Sequence, residues 1–232
     1  MSEKPKTTWL KKALGMAPMT GLACSMAVAA PLSPLPDPVL DTPLMQSNGS
    51  APKPQAEIVL AGGCFWGVQA VFQHTKGVVK AISGYAGGKA ETAHYEMDNS
   101  GTTGHAEAVQ VTYDPTQITL GKILKVFFAV AHDPTELNRQ GPDRGTQYRS
   151  AIFTNAPEQQ KVARAYIAQL NQAGIFSQPI VTTIEPLPAF YPAEDYHQNF
   201  AKLHPDNPYI IINDLPKIAA LEKTFPELYV RQ

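Results

Sequence analysis

The chain has little cysteine and almost no net charge. Among 232 residues it has two cysteines, and 19 basic side chains balance 20 acidic ones. Two cysteines cannot build a disulfide framework, and no Cys-x-x-Cys pair or His/Cys grouping predicts a zinc site. The six histidines never stand three or four residues apart, so we expect no bound metal. A formal net charge of −1 gives no reason to expect a nucleic-acid partner.

The amino-terminal thirty residues differ in composition from the rest. Four lysines precede an uncharged stretch, residues 13–30, which ends in the small residues Ala-Val-Ala-Ala. This pattern is typical of a secretory signal peptide. We therefore expect residues 1–30 to direct export, to the periplasm or otherwise out of the cytoplasm, with no stable membrane anchor after processing. Retention of the segment, lipidation at Cys24 and a cytoplasmic protein stay open as alternatives.

Residues 31–54 contain seven prolines. Such a segment cannot continue a helix or a central strand, so we expect a disordered linker between the signal and one globular domain. That domain is predicted to cover residues 55–232, which is long enough for a single sizeable core.

Apolar periodicity within this domain alternates between strand and helix types. The predicted strands cover residues 58–61, 78–83, 106–113, 149–154 and 180–187. The predicted helices begin at residue 68 and cover residues 120–131, 157–172, 193–204 and 215–225, with loops over 89–104 and 135–147. This uneven alternation predicts an α+β domain of two layers, a mixed or antiparallel sheet with packed helices.

Cys64 stands between the first predicted strand and the first predicted helix. Unpaired amides and the positive end of the helix dipole meet there and favour a thiolate, which is the nucleophilic form of cysteine. Gly62 and Gly63 allow a sharp turn, while Phe65 and Trp66 offer aromatic surfaces that could hold a small apolar group. The alternative is an inert, buried cysteine among core aromatics.

The string Gly63-Cys64-Phe65-Trp66-Gly67 resembles the active-site motif of the peptide methionine sulfoxide reductase A family. Further matches follow in order along residues 57–200. They are Gly84-Tyr85-Ala86-Gly87-Gly88, Tyr95, Gly104-His105-Ala106-Glu107-Ala108-Val109, His132-Asp133-Pro134-Thr135, Asn138-Arg139-Gln140-Gly141, Asp143, Gly145-Thr146-Gln147-Tyr148-Arg149-Ser150 and Glu194-Asp195-Tyr196-His197-Gln198. The resemblance implies a ferredoxin-like α/β roll. It also implies reduction of methionine S-sulfoxide, free or in oxidised proteins and peptides, with protein repair as the outcome.

The resemblance also assigns roles. Cys64 would attack the sulfoxide sulfur and become a sulfenic acid, and Glu107 would supply the proton. The substrate-binding residues implied are Phe65, Trp66, Tyr95, Asp143 and Tyr148. No bound cofactor is implied, and the reductant would be an external thiol, a thioredoxin-like protein in the cell or dithiothreitol in vitro.

Three questions stay open from the residues alone. Glu107 could be an edge residue in water or a half-buried acid with a raised pKa. A cysteine hydrolase would need a histidine base near Cys64, and His197 reads as mainly structural. A binding module could grip oxidised methionine without catalysis. Residues 207–216 contain no cysteine. We therefore expect that the sulfenic acid at Cys64 is reduced by an external thiol and not by a second cysteine of the same chain.

Overall fold

The computed structural model describes residues 34–46 and 54–232. Its main sheet has six strands in the order β7-β6-β1-β3-β2-β8, all antiparallel to their neighbours except the parallel pair β6–β7. The strands are β1 (Ala56–Gly62), β2 (Val78–Ala86), β3 (Ala106–Tyr113), β6 (Ser150–Phe153), β7 (Thr183–Glu185) and β8 (Phe190–Pro192). A separate small hairpin joins β4 (Arg139–Gln140) to β5 (Asp143–Arg144).

Helices pack on this sheet and connect its strands. The α-helices are α1 (Phe65–Gln73), α2 (Tyr95–Asp98), α3 (Leu120–Val126), α4 (Pro157–Gln172), α5 (Phe200–Leu203) and α6 (Leu215–Thr224). Two π turns extend this set, Phe127–Ala131 after α3 and Ile210–Asp214 before α6. Single 3₁₀ turns cover Ala90–Thr92, Thr146–Tyr148 and Asp195–His197.

The core explains why β1 reads as a continuous apolar run. Ile58 and Leu60 point to the large cluster formed with the helices, whereas Val59 and Ala61 join a smaller cluster on the opposite face. Successive side chains of a strand alternate between faces, so a central strand that is covered on both sides must be apolar throughout. The predicted α+β domain with a mixed sheet is therefore confirmed.

The long periodic elements were predicted well and the short ones poorly. The helix over residues 157–172 is confirmed to the residue as α4, with Gly174 at φ +60° beyond its end. The predicted helix over residues 193–204 is wrong. It is broken at Asn199, whose left-handed backbone (φ +58°) separates a 3₁₀ turn from α5. The predicted loop over residues 89–104 contains α2, whose single turn is too short to show periodicity.

The proline-rich segment differs from the expected disordered linker in residues 34–46. This segment has no helix or strand, as its prolines predict, but it lies against α3 and α4. Leu35 is buried in the core, and the Pro36 carbonyl accepts a hydrogen bond from the Tyr166 hydroxyl at 2.8 Å. The Asp41 carboxylate accepts the Gly121 amide at 2.6 Å, at the start of α3. Side-chain and carbonyl acceptors therefore hold it in place, a feature that proline content cannot reveal.

The predicted signal peptide, residues 1–30, lies outside the described residues. Within residues 34–46 and 54–232, no helix has both the length and the apolar character needed to span a membrane.

Candidate active site

Cys64 occupies the N-cap position of α1, directly after β1. The turn depends on Gly63, whose φ of +86° suits glycine and whose hypothetical Cβ would overlap the Gln140 side chain. Cys64 is 8% exposed. The sequence therefore placed this cysteine correctly, between a buried strand and the first turn of a helix.

Burial of Cys64 acts against the thiolate that the helix start favours. Burial raises the pKa of the Cys64 thiol well above its ordinary value, and the carboxyl groups of Glu107 and Asp214 raise it further. The Trp66 backbone amide acts in the opposite direction, as expected at a helix N-terminus, but it is outweighed. The helix start thus acts as expected, but periodicity does not reveal how deeply the sulfur is buried, and burial acts against the thiolate.

Glu107 lies on the central strand β3, on the same face as Val109 and Val111. Its side chain is 4% exposed, and Oε2 accepts the Phe65 backbone amide at 3.0 Å. Burial raises the pKa of Glu107 to about 8, although the Phe65 amide opposes the shift. The structure thus decides for a buried acid that is largely protonated at neutral pH, a form able to donate a proton.

The two aromatic residues after Cys64 differ in environment. Phe65 is buried, with its ring centroid 5.9 Å from that of Tyr85 and 5.1 Å from that of His197. Trp66 is partly buried and stacks on Phe200 with centroids 3.8 Å apart. Its indole Nε1 donates to His197 Nδ1 at 3.2 Å. These contacts hold both rings in place on the two residues that follow Cys64.

Tyr95 and Tyr148 reach the same site from two connecting segments. Tyr95 is the first residue of α2, and its backbone amide donates to Glu194 at 3.0 Å. Tyr148 ends the 3₁₀ turn that follows Gly145. Burial raises the pKa of both phenols, and in both cases Glu107 and Cys64 raise it further. Both hydroxyl groups therefore remain protonated donors near the thiol and the acid.

Asp143, the last of the predicted site residues, lies on β5. Its carboxylate accepts a short hydrogen bond from the Tyr209 hydroxyl, and burial raises its pKa. It also contributes to the raised pKa values of Cys64 and Glu107. The structure therefore brings together all seven residues singled out from the sequence, although they come from five separate segments.

Sequence reasoning missed the contribution of the carboxy-terminal segment. The π turn before α6 follows Tyr209, whose ring lies 5.7 Å from Trp66 edge-on, and ends at Asp214, which is fully buried. In the sequence, Asp214 directly precedes Leu-Pro-Lys, a pattern typical of the residue that caps a helix N-terminus. In the structure, however, its side chain makes no capping hydrogen bond. Only the absence of cysteine in this segment drew attention to it.

Support from neighbouring polar residues was also missed. Glu194 accepts hydrogen bonds from the Tyr85 hydroxyl at 2.9 Å and from the Tyr95 amide at 3.0 Å. His197 contacts Phe65, Trp66 and Tyr95. In the described part of the chain no histidine makes a hydrogen bond to Cys64, and this disfavours a hydrolase with a Cys–His pair.

Residues 34–46 and 54–232 contain no group of three or more His, Cys, Asp or Glu side chains placed to hold a metal ion. The chemistry that the described residues themselves can supply is that of a thiol, a protonated carboxylic acid and phenol donors with aromatic rings beside them.

Comparison with known proteins gives a consistent set of similarities. Residues 56–228 match the family model described as peptide methionine sulfoxide reductase. The sequence is 58% identical to peptide methionine sulfoxide reductase MsrA 2 of Mesorhizobium japonicum over 171 residues, 74% of this chain and 88% of that protein. It is 46% identical to the protein of the same name from Synechocystis, covering 83% of this chain and 89% of that one.

Two solved structures are similar in fold. Reduced Mxr1 from Saccharomyces cerevisiae has a TM-score of 0.60 and 34% identity, covering 68% of this chain and 90% of that one. Methionine sulfoxide reductase A of Corynebacterium diphtheriae has a TM-score of 0.56 and 37% identity, covering 73% of this chain and 86% of that one.

Proposed function

The chain belongs to the peptide methionine sulfoxide reductase family, and on that premise we propose that Cys64 reduces methionine S-sulfoxide to methionine. The substrates are free methionine sulfoxide and oxidised residues in peptides and proteins, so the biological outcome is repair of oxidised proteins. The preference for the S epimer comes from the family resemblance.

The residues around Cys64 suit this substrate. Phe65 and Trp66 would hold the methyl group, while Glu107, Tyr95 and Tyr148 would bind the sulfoxide oxygen. This arrangement turns the electrophilic sulfur toward the thiol, because the apolar group and the polar oxygen are recognised on different sides. Asp143, which accepts a hydrogen bond from the Tyr209 hydroxyl, would belong to the same hydrogen-bond network.

The reaction transfers one oxygen atom. As Cys64 Sγ bonds to the sulfoxide sulfur, Glu107 gives its proton to the sulfoxide oxygen, and the thiol proton returns to the Glu107 carboxylate. The oxygen then moves to Cys64, the bond between the two sulfurs breaks, and methionine leaves. Cys64 is oxidised to a sulfenic acid while methionine sulfoxide is reduced.

The observation that supports this function most directly is the buried carboxylic acid next to the buried thiol. Glu107 bonds to the first amide of the helix that Cys64 caps, and its pKa of about 8 keeps its proton available. The test supplies dithiothreitol with the separate S and R epimers of blocked methionine sulfoxide. Methionine should form from the S epimer only; absence of turnover on both epimers would refute the proposal.

We also propose that an external thiol regenerates Cys64. Cys64 is the free cysteine of the described residues. Two external thiols are needed to reduce its sulfenic acid: they are oxidised to one disulfide, and the sulfenic oxygen leaves as water. If the protein is exported, the donor is a thioredoxin-like protein held at the membrane or a small-molecule thiol. Amino-terminal sequencing of the native protein tests export: a start near Ala30 supports it, and an intact Met1 or Ser2 contradicts it.

A further inference from the structure

The turn that carries Cys64 packs against a buried side chain to which the proposed reaction gives no role. Gly63, the residue before Cys64, has a φ of +86°, and a Cβ at this position would overlap Cβ and Cγ of Gln140. Gln140 is 7% exposed. Its aliphatic carbons therefore lie directly against the backbone that precedes the nucleophile, with no room for a side chain between them.

The amide group of Gln140 is fixed at both ends. Its Oε1 accepts the Asp133 backbone amide at 2.9 Å, and its Nε2 donates to the Asp133 carbonyl at 3.0 Å. Both hydrogen bonds are buried, so rotation of the side chain would leave polar groups unpaired away from water, which is costly. The carbons that contact Gly63 are therefore held in one place.

Gln140 also belongs to the hairpin that carries Asp143. The pairing of β4 with β5 places Gln140 opposite Asp143. In the turn between these strands, the Gly141 amide donates to the Glu136 carboxylate at 2.8 Å. One residue thus contacts the turn before the thiol and pairs with another residue of the site.

Movement of the Cys64 turn would change the placement of the thiol relative to the acid. Phe65, the residue after Cys64, donates its backbone amide to Glu107 Oε2 at 3.0 Å. Glu107 therefore holds the turn from the helix side, while Gln140 contacts it from the strand side. A displacement of about 1 Å between reacting groups can lower a rate by about 10²-fold.

We propose that Gln140 is a positioning residue for the reaction of Cys64. The inference rests on the proposed function, in which Cys64 is the nucleophile. The aliphatic carbons of Gln140 support Gly63, its amide fastens this support to Asp133, and its backbone forms the strand opposite Asp143. Gln140 itself does not touch the substrate.

The aromatic rings beside the nucleophile depend on other contacts. Phe65 contacts His197, and Trp66 stacks on Phe200. Loss of the Gln140 side chain should therefore slow the chemical step and leave substrate affinity nearly unchanged, whereas general loosening of the site would weaken both.

The test compares Gln140→Ala and Gln140→Met in full-length protein that carries Cys24→Ser. The single-turnover rate of methionine formation at saturating methionine S-sulfoxide should fall about 10–10²-fold in Gln140→Ala. The substrate concentration that gives half of the maximal rate should stay within about twofold of the parent value. Gln140→Met keeps Cβ and Cγ but loses the amide hydrogen bonds, so its rate should lie between those of the parent and Gln140→Ala.

Val162→Ala is the control for lost stability, because Val162 is buried in α4, outside the site. This variant should unfold more readily and keep the parent rate. A Gln140→Ala rate within twofold of the parent overturns the proposal, and so does equal slowing by Val162→Ala. If Gln140→Ala does not fold, Gln140→Met is the readout, and a rate within twofold of the parent overturns the proposal in the same way.

Alkylation of Cys64 by iodoacetamide, without substrate, tests the positioning independently of the reaction. Release of the turn should expose the buried sulfur, so alkylation should be several-fold faster in Gln140→Ala and unchanged in Val162→Ala. Equal alkylation of parent and Gln140→Ala contradicts the positioning role. A parent that fails to reduce methionine sulfoxide refutes the proposed function, and the alkylation rates then still decide whether Gln140 holds the turn.

Discussion

Glu107 Oε2 accepts the backbone amide of Phe65 at 3.0 Å, and Phe65 directly follows the nucleophile Cys64. The acid is thereby bonded to the first turn of the same helix whose start positions the thiol. Relative placement of the two groups depends on a central strand and a helix, both rigid elements, and not on a connecting loop. Precise placement of reacting groups is a main source of catalytic rate.

Replacement of the nucleophile should abolish catalysis. Cys64→Ser should lower methionine formation below about one per cent of the parent rate, because a serine hydroxyl ionises far less readily than a thiol. The measurement is turnover of blocked methionine S-sulfoxide with dithiothreitol. Cys24→Ser is the control and should retain full activity. Residual activity above that level in Cys64→Ser would contradict the assignment.

Loss of the transferable proton should slow the chemical step. Glu107→Gln keeps the shape of the side chain, and the rate of methionine release in a single turnover should fall by roughly 10²–10⁴-fold. Glu57→Gln, at an exposed carboxyl of the neighbouring strand β1, should stay within about twofold of the parent. If Glu107→Gln is within threefold of the parent, another group is the acid.

The activity should decline at alkaline pH. Glu107 has a pKa raised to about 8 by burial, so its acid form predominates below that pH and is lost above it. The single-turnover rate at saturating substrate should therefore fall from about pH 8 upward. The same decline at alkaline pH should be absent in Glu107→Gln, because glutamine has no carboxylic acid proton to titrate. A parent profile that is flat to pH 10 would contradict this role.

The oxidised intermediate should persist without reductant. One equivalent of substrate, added to the reduced protein carrying Cys24→Ser, should raise its mass by one oxygen atom and give a product that dimedone traps at Cys64. Denatured protein analysed by mass spectrometry gives both readouts. Quantitative conversion to a disulfide-linked dimer would show that a second copy supplies the partner thiol.

The segment 34–46 should contribute to stability through Asp41. Its carboxylate accepts the Gly121 amide and the Thr119 hydroxyl at the start of α3, so Asp41→Ala should lower the free energy of unfolding by about 1–2 kcal/mol. Asp37→Ala removes only exposed ion pairs to Lys122 and Lys125, and it should cost about 0.5 kcal/mol or less. Urea denaturation measures both; equal effects would contradict the capping role.

The sequence predicted those features that depend on local pattern. Strand β1, the start of α1 and the whole of α4 follow from apolar periodicity and from glycine or proline at element ends. The site residues came from motif resemblance, and the structure brings them together. Their spacing along the chain does not reveal that β3 lies between β1 and β2, the relationship that takes Glu107 to Cys64.

Features that depend on tertiary packing were not predictable in the same way. The raised pKa of Cys64 arises from burial under groups far away in sequence, and the break at Asn199 interrupts a pattern that looks helical. Asp214 and Lys217 read as ordinary polar residues at the start of α6, and only the fold places them against Gly67. Local preference is overridden wherever such long-range contacts decide the outcome.

The docking of residues 34–46 bears on where this enzyme can be trimmed for recombinant work. The family match begins at residue 56, and a fragment cut there would leave the Leu35 site on the core open to water and the α3 amide at Gly121 without its acceptor. Such a fragment should express less soluble material and bind more of a dye such as ANS. A fragment that begins at Pro34 keeps these contacts and is the better starting point for crystallisation.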